Sequence, residues 1–171
     1  GMLDKLGLGE SDLACGVHWP PSKEERARLE QTNEKPSTLH NNCSGKHSGM
    51  LAVALALKAP TEGYEKPEHA VQQLNFQTVR DLAGVTEIPY GIDGCSVPTF
   101  VLPLDNAAWM FAQLAEPNVA PEKYRDGLER TFRAMRAYPE MVANEGEMDT
   151  VLMQSVSDLA AKGGAEGYYG L

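Results

Sequence analysis

The longest apolar segment of the chain lies within residues 44–58, SGKHSGMLAVALALK, and predicts a central helix. Apolar side chains occupy most of the circumference of that helix, so the pattern is typical of a buried one. Pro60 follows and ends it. The uninterrupted apolar run, Met50–Leu57, is eight residues long. A membrane-spanning helix needs about 20 such residues, so the sequence predicts no membrane span.

Five further helices are predicted on either side of this segment. Ser22 is a suitable N-cap for the first of them, and Pro67 and Pro121 are suitable openings for two others. Prolines and glycines interrupt residues 85–101, and residues 165–171 resemble a strand. The whole chain is therefore expected to be a single helix-rich domain, 1–171, with little sheet of its own, as part of a larger α/β architecture. The five helices are expected at residues 22–33, 67–83, 104–115, 121–137 and 149–161.

Composition and charge exclude several classes of function. The 171 residues include 15 Lys or Arg and 24 Asp or Glu, which gives a net charge of −9. Nucleic acids and anionic membranes are bound mainly through basic side chains, so neither is an expected partner. The three cysteines are an odd number and cannot form a complete disulfide framework. We therefore expect a cytoplasmic protein with reduced thiols.

A first candidate site lies at the start of the central helix. Cys43, Lys46 and His47 have the spacing i, i+3 and i+4, which places them on one helix face. A helix N-terminus and a nearby lysine both lower the pKa of a thiol, so the pattern favours a thiolate that binds a metal or attacks an electrophile. The alternative is a buried cysteine beside an N-cap serine and an exposed lysine.

A second candidate site is the turn-rich segment Gly91-Ile92-Asp93-Gly94-Cys95. Cys43 and Cys95 with one nitrogen donor would give three protein ligands and one open position, as in catalytic zinc sites. Histidine is the more usual nitrogen ligand, so His47 is a candidate, and Lys46 is one if its pKa is lowered first. The two cysteines are far apart in sequence, and this spacing is not diagnostic of a metal site.

Two other segments are weaker candidates. Residues 162–167, KGGAEG, are similar to the Lys-[Ser/Thr]-Gly element of penicillin-recognising serine enzymes, although Gly163 replaces the hydroxyl residue. The alternative is a glycine that ends a helix, with Lys162 in its last turn. Cys15 and His18 are candidate ligands, but a loop packed by Trp19 explains that segment better.

Taken together and in order, five segments resemble the asparaginase II family, the thermolabile Rhizobium-type asparaginases. The segment around Cys43 matches the central signature of that family, and the resemblance extends over nearly the whole chain. The five segments are Cys15–Pro20, Leu39–Leu51, Asp93–Thr99, Tyr138–Ala143 with Asp149 and Thr150, and Lys162–Gly167.

The resemblance implies a fold, an activity and a set of site residues. The implied fold is α/β (α+β), of the serine β-lactamase/glutaminase-like type, and the implied activity is hydrolysis of L-asparagine to aspartate and ammonia. Zinc would be bound by Cys43, Lys46 and Cys95. Asp93 would lie at that site as a catalytic and substrate-binding residue. The other implied roles are substrate binding by His47 and catalysis by Lys162, acting with a serine.

The sequence also departs from the family pattern. No serine is followed three residues later by lysine, and family members are longer. We therefore expect a fragment of a larger domain, inactive alone, whose nucleophilic serine lies outside these residues. Apolar surface left bare in such a fragment predicts a homodimer or other self-association. Two alternatives remain open, a non-catalytic zinc-binding module and a helical interaction module.

Overall fold

The structure is a computed structural model that describes every residue from 1 to 171. It is mostly helical, as predicted, with seven α-helices and two small antiparallel sheets of two strands each. Five short 3₁₀ turns connect some of these elements. The helices are α1 Met2–Leu6, α2 Lys23–Thr32, α3 Ser44–Ala56, α4 Ala70–Ala83, α5 Leu104–Ala115, α6 Glu122–Ala137 and α7 Met148–Ser155. The strands are β1 Tyr90–Ile92, β2 Pro98–Phe100, β3 Lys162–Gly163 and β4 Tyr169–Gly170.

The chain divides into two compact units. The first comprises Gly1–Thr78 and Ile88–Val101, and the second comprises Val79–Glu87 and Leu102–Leu171. The prediction of a single domain over the whole chain, truncated from a larger one, stays a prediction. No helix is both long and apolar enough to cross a lipid bilayer.

The first unit is built around a continuous apolar core. Only one face of α3 contributes side chains to this core. Leu55 on α3 and Leu57 just after it are 41% and 45% exposed. The prediction that α3 is buried around most of its circumference was therefore wrong. The core consists of Leu3, Leu13, Cys15, Met50, Leu51, Ala54, Tyr64, Val71, Cys95 and Val97.

A β-hairpin completes the first unit. Strands β1 and β2 pair antiparallel, with Ile92 opposite Pro98. Phe76 of α4 packs edge-on against Tyr90 and Phe100, with ring centroids 5.1 and 5.2 Å apart. Edge-to-face aromatic packing of this kind adds to the stabilisation from burial alone. The hairpin is therefore anchored on α4, and its connecting turn, residues 93–97, occupies a defined place in the unit.

The second unit buries smaller side chains. Its buried apolar residues are Leu82, Ala83, Ala120, Met153, Ala160 and Ala161. Gln113 of α5 is also buried and donates a hydrogen bond of 2.6 Å to the Leu82 carbonyl. Helix α6 has no buried residue at all. Several large apolar side chains of this unit are instead exposed, among them Leu104 at 75% and Met141 at 82%.

Most predicted helices are present, and the largest errors lie near the C-terminus. Helix α7 ends at Ser155 rather than near residue 161, because Val156 is extended and Asp158 has a left-handed φ of 60°. The strand predicted over residues 165–171 was wrong. That segment contains a 3₁₀ turn, and only β4 within it pairs, with β3. Helix α4 begins three residues after Pro67, and Leu74 within it is 44% exposed.

Candidate active site

The first candidate cluster begins at the N-terminus of α3. Cys43 is the N-cap residue, but its side chain makes no capping hydrogen bond. Its backbone N–H instead donates 2.8 Å to the Asn41 side-chain oxygen. The Asn41 amide then donates to the carbonyls of Cys15 and Gly16, at 2.8 and 3.1 Å. One buried asparagine thus fixes the start of α3 against residues 15–16, which were part of the family resemblance.

The turn of the first hairpin brings further polar side chains to the start of α3. Lys46 Nζ lies 3.3 Å from Cys95 Sγ and 3.8 Å from Asp93 Oδ2. Cys95 Sγ lies 3.3 Å from Asp93 Oδ2. The donor atoms of Cys43, Asp93 and Cys95 all lie within 4.8 Å of one another. The structure therefore brings together all four residues that the resemblance placed around a metal.

Burial, not the helix N-terminus, dominates the ionisation of Cys43. Removal from water raises the pKa of this thiol, although the positive charge of Lys46 partly lowers it. The expectation of a thiolate favoured by the helix N-terminus was therefore wrong for the metal-free chain. For Lys46, burial lowers the pKa, but the hydrogen bond and charges of Cys95, Cys43 and Asp93 outweigh it, and the pKa is raised. Lys46 is accordingly a cation here.

Asp93 is the anionic member of the cluster. Hydrogen bonds from the Cys95 thiol and from the Gly94 N–H, 2.7 Å long, lower the pKa of its carboxyl. Lys46 lowers it further through charge. The Asp93 side chain is 48% exposed, so its remaining lone pairs are open to a ligand. The cluster thus combines a cation, a carboxylate and two thiols.

A cavity of about 370 Å³ adjoins this cluster and lies within the first unit. Its volume is in the range of small-molecule binding sites. Lys46 and Asp93 contribute opposite charges to its wall, and Gln72, Asn75 and Thr99 contribute neutral polar groups. The remaining wall is apolar and is formed by Met50, Val97, Pro98 and Phe100.

His47 lies behind the cluster rather than in the cavity. Its ring is completely buried, and Nδ1 lies 2.6 Å from the Tyr64 hydroxyl. That hydroxyl accepts a hydrogen bond from the Ala14 N–H at 2.9 Å, so its own proton points to Nδ1. Burial lowers the pKa of His47 to about 4, so the ring is neutral at pH 7. Its role in substrate binding stays a prediction.

The free nitrogen of His47 is the one buried polar side-chain atom without a good hydrogen-bond partner. Nε2 makes no contact with acceptable hydrogen-bond geometry. The Cys95 backbone still lies close enough to raise the pKa of the ring slightly, against the larger effect of burial. Because Nδ1 is an acceptor, the neutral ring carries its proton on Nε2.

Lys162 belongs to the second unit, where a different carboxylate accompanies it. Its Nζ lies 3.9 Å from Asp149 Oδ2, and it also hydrogen-bonds the Gly163 carbonyl. Asp149 begins the helix predicted over 149–161, but in the structure it lies in the first turn of α7, and the N-cap is Glu147, without a side-chain hydrogen bond. The Asp149 carboxylate instead accepts hydrogen bonds from the Gly163 N–H and from the Tyr169 hydroxyl. Sequence reasoning named Asp149 only as part of a motif and missed its contacts with Lys162 and Tyr169.

The loop that contains Cys15 and His18 forms no metal-binding group. Cys15 is buried, and its Sγ lies 3.6 Å from the Thr38 carbonyl. His18 is exposed, with Nδ1 2.6 Å from the Trp19 carbonyl. The guanidinium of Arg26 stacks over the Trp19 ring at 5.3 Å. The structure favours the interpretation of this loop as a packed connection.

These features define a class: a mostly helical chain in which a lysine and a carboxylate line a cavity with two thiols beside them, and a second lysine lies near a buried carboxylate. A comparison with protein-family models assigns residues 1–171, the entire chain, to the family described as L-asparaginase II. The chain belongs to this family, as its sequence motifs indicated. A search of curated proteins found no match.

Proposed function

We propose that this chain supplies the metal-binding and lysine-bearing part of an amidohydrolase that converts L-asparagine to aspartate and ammonia. The observation that carries the proposal is the cluster of Lys46, Asp93 and Cys95 at a cavity, in a chain that one asparaginase family model matches throughout. The serine β-lactamase-like fold implied by the resemblance and a location in the cytosol are parts of the same proposal. Three free cysteines support the location.

The donor set fits zinc. Two thiols and a carboxylate whose ligand atoms lie within 4.8 Å are a combination that zinc accepts, and a lysine nitrogen lies beside them. Cys43, Lys46 and Cys95 would hold the ion, with Asp93 next to it. Bound zinc would supply a Lewis acid that polarises a carbonyl group. A deprotonated Lys46 is required, so binding must overcome the raised pKa of this ammonium group.

The roles proposed for the other residues follow from their charge. The exposed carboxylate of Asp93 is complementary to the α-ammonium group of an amino-acid substrate. Lys162 would orient the attacking serine and hold or accept its proton. No Ser-x-x-Lys pair occurs in these residues, so we propose that a segment outside residues 1–171 contributes that serine and that these residues alone are inactive.

A binding and complementation experiment tests this function. Calorimetric titration of the zinc-loaded chain with L-asparagine should show binding that Asp93→Asn weakens at least tenfold. Asp126→Asn, an exposed carboxylate of α6 that pairs only with Arg130, is the matched control. Adding the serine-bearing segment of a family member should restore ammonia release. A folded, zinc-loaded chain that neither binds L-asparagine nor releases ammonia when complemented would contradict the proposal.

One observation favours a second candidate, a structural metal site. Cys43 is half-buried and Cys95 is 4% exposed, so a metal there would connect α3 to the hairpin turn. In that case zinc removal would unfold the first unit, and L-asparagine would not bind. A helical interaction module without metal is the outcome if zinc does not bind either.

We also propose that a second copy of this chain covers apolar surface of the second unit. Leu104, Met141 and Tyr138 are 75%, 82% and 61% exposed, and α6 buries no residue. Large exposed apolar side chains that together form a patch are typical of protein interfaces. Sedimentation velocity should show a dimer whose fraction rises with concentration. A monomer at all concentrations would contradict this.

A further inference from the structure

The buried carboxylate of Asp149 has no role in the function proposed above. Its side chain is 8% exposed, although it carries a charge and lies in the first turn of α7. Burying an unpaired charge is costly, so buried carboxylates are found with several donors around them. If this position served only packing, an apolar residue could fill it at a lower free-energy cost. The partners of this carboxylate therefore indicate what it does.

Two hydrogen-bond donors and one ammonium group lie around the Asp149 carboxylate, all from one short segment. The Gly163 N–H lies 3.1 Å from Oδ1 and 3.0 Å from Oδ2. The Tyr169 hydroxyl donates to Oδ1, and Lys162 Nζ lies at ion-pair distance, 3.9 Å from Oδ2. Gly163 and Lys162 lie on β3, and Tyr169 lies on β4. Asp149 thus binds both strands of the second sheet as well as the lysine.

The second sheet needs such support. It consists of two strands of two residues each, paired as Lys162 with Gly170 and Gly163 with Tyr169. Two-stranded sheets of this length are not stable in water without further packing. Removal of water and the negative charge of Asp149 raise the pKa of Tyr169 to about 12, so its hydroxyl keeps its proton and remains a donor at neutral pH.

The glycine between these partners is part of the arrangement. A Cβ atom at Gly163 would lie 3.3 Å from Asp149 Oδ1 and 3.2 Å from the Tyr169 ring. Both contacts are tighter than most Cβ contacts, so a side chain at residue 163 would require the Asp149 carboxylate or the Tyr169 ring to move by a few tenths of an ångström. Glycine therefore lets the carboxylate approach the strand without such a displacement.

We infer that Asp149, with Tyr169, is the positioning residue that holds the Lys162 ammonium group in place for the reaction. Asp149 touches neither substrate nor metal in this role and acts only through Lys162. The inference rests on the proposed function for its catalytic part. The placement of Lys162 by Asp149 is testable without any activity.

The first test observes the lysine itself. In ¹³C NMR of the full chain, the ε-methylene signals of Lys162 should be dispersed from those of exposed lysines. Asp149→Asn keeps an acceptor for the Gly163 N–H but removes the charge, so these signals should collapse to the exposed-lysine position. Backbone signals of β3 and β4 should persist. Asp126→Asn is the matched control and should change nothing at Lys162.

The second test measures catalysis in the complemented assay. Asp149→Asn should lower kcat 10- to 100-fold with little change in KM, and Tyr169→Phe should lower kcat about threefold. Tyr169→Phe also serves if Asp149→Asn does not fold, because it keeps the charge and should shift the Lys162 signals partway. Unchanged Lys162 signals in folded variants would overturn the inference. Absence of activity when the unsubstituted chain is complemented would overturn the proposed function instead. The NMR result would still decide the positioning role.

Discussion

Two lysine–aspartate pairs, one in each unit, have nearly the same separation but opposite surroundings. Lys46 Nζ lies 3.8 Å from Asp93 Oδ2, and Lys162 Nζ lies 3.9 Å from Asp149 Oδ2. The Asp93 side chain is 48% exposed and adjoins a cavity, whereas that of Asp149 is 8% exposed. The charge on the lysine and the pair distance are alike, so the difference lies in what else the carboxylate binds.

This difference indicates two different uses of the same pair. Asp93 receives hydrogen bonds from Cys95 and Gly94 and keeps an open side for a ligand. Asp149 receives donors from backbone and tyrosine, and its contacts are complete within the second unit. A pair of the first kind can exchange its lysine contact for a metal or substrate. We expect a pair of the second kind to restrain its lysine, because the carboxylate itself is fixed.

The largest expected effect is a difference in the free energy of unfolding between variants of the two carboxylates. Asp149→Ala leaves the part-buried Gly163 N–H and Tyr169 hydroxyl without their acceptor, and should lower the free energy of unfolding by about 3 kcal/mol. Asp93→Ala, at an exposed pair, should cost less than about 1 kcal/mol. Urea denaturation of both variants measures this. Equal losses would show that burial does not distinguish the pairs.

Acidification should lower the stability of the first unit, which contains the Lys46–Asp93 pair, and not that of the second unit. All four histidines lie in the first unit. The pKa of His47 is lowered to about 4 in the folded chain, so the unfolded chain binds more protons between pH 6.5 and 4. Stability is therefore complete above pH 6.5 and falls as the pH approaches 4, by about 3 kcal/mol.

Hydrogen exchange measured at several pH values can locate this loss. Amides of α3 should lose protection between pH 6.5 and 4, while those of α5 and α6 should not. His47→Gln should flatten the dependence, and His18→Gln, at an exposed histidine, should leave it unchanged. A loss confined to pH below 4 would assign the effect to carboxylates such as Asp93 instead.

Zinc affinity should also distinguish the surroundings of the two lysine–aspartate pairs. Cys43→Ser should weaken zinc binding about 100-fold, or about 2.7 kcal/mol, because a hydroxyl is a much poorer ligand than a thiolate. Asp149→Asn should leave zinc affinity unchanged. Competition with a chromogenic chelator provides both values. A similar loss in both variants would mean that zinc does not bind at the thiol cluster.

The smallest effect concerns the glycine next to each carboxylate. Gly163→Ala should cost about 1–2 kcal/mol, because the new Cβ atom would press on Asp149 and the Tyr169 ring. Gly94→Ala is the counterpart beside Asp93, where no atom lies within 4 Å of the new Cβ. Its cost should stay within about 0.5 kcal/mol. Thermal unfolding distinguishes these values, and a reversed order would contradict the contrast.

The sequence was most informative about helices and about the first pair. Apolar periodicity and proline positions located α3, α5 and α6 to within two residues. The i, i+3 spacing of Cys43 and Lys46 also correctly placed both at the start of α3. Ligand chemistry had already combined Cys43 with Cys95 of the 91–95 turn, but only the motif resemblance gave Lys46 and Asp93 definite roles there, because no spacing rule connects that turn to α3.

The sequence was least informative where the partners are short strands or isolated side chains. Asp149 lies 14 residues from Gly163 and 20 from Tyr169, and no periodic pattern joins them. The thiol of Cys43 was misjudged because burial, a tertiary property, outweighs the local effect of the helix N-terminus. The C-terminal strand was overpredicted because β-prone side chains at residues 168–171 do not reveal that only two residues find a partner.

The turn at residues 93–97 affects how this site can evolve. It presents Asp93 and Cys95 from one piece of backbone, closed by hydrogen bonds of 2.9 Å between the Asp93 and Val97 backbones and between those of Ser96 and Asp93. Substitutions in it displace both side chains together, so their effects on ligand affinity will be non-additive. Residues 93–97 therefore act as one unit. Differences in ligand preference among related chains are best tested by exchanging the whole turn.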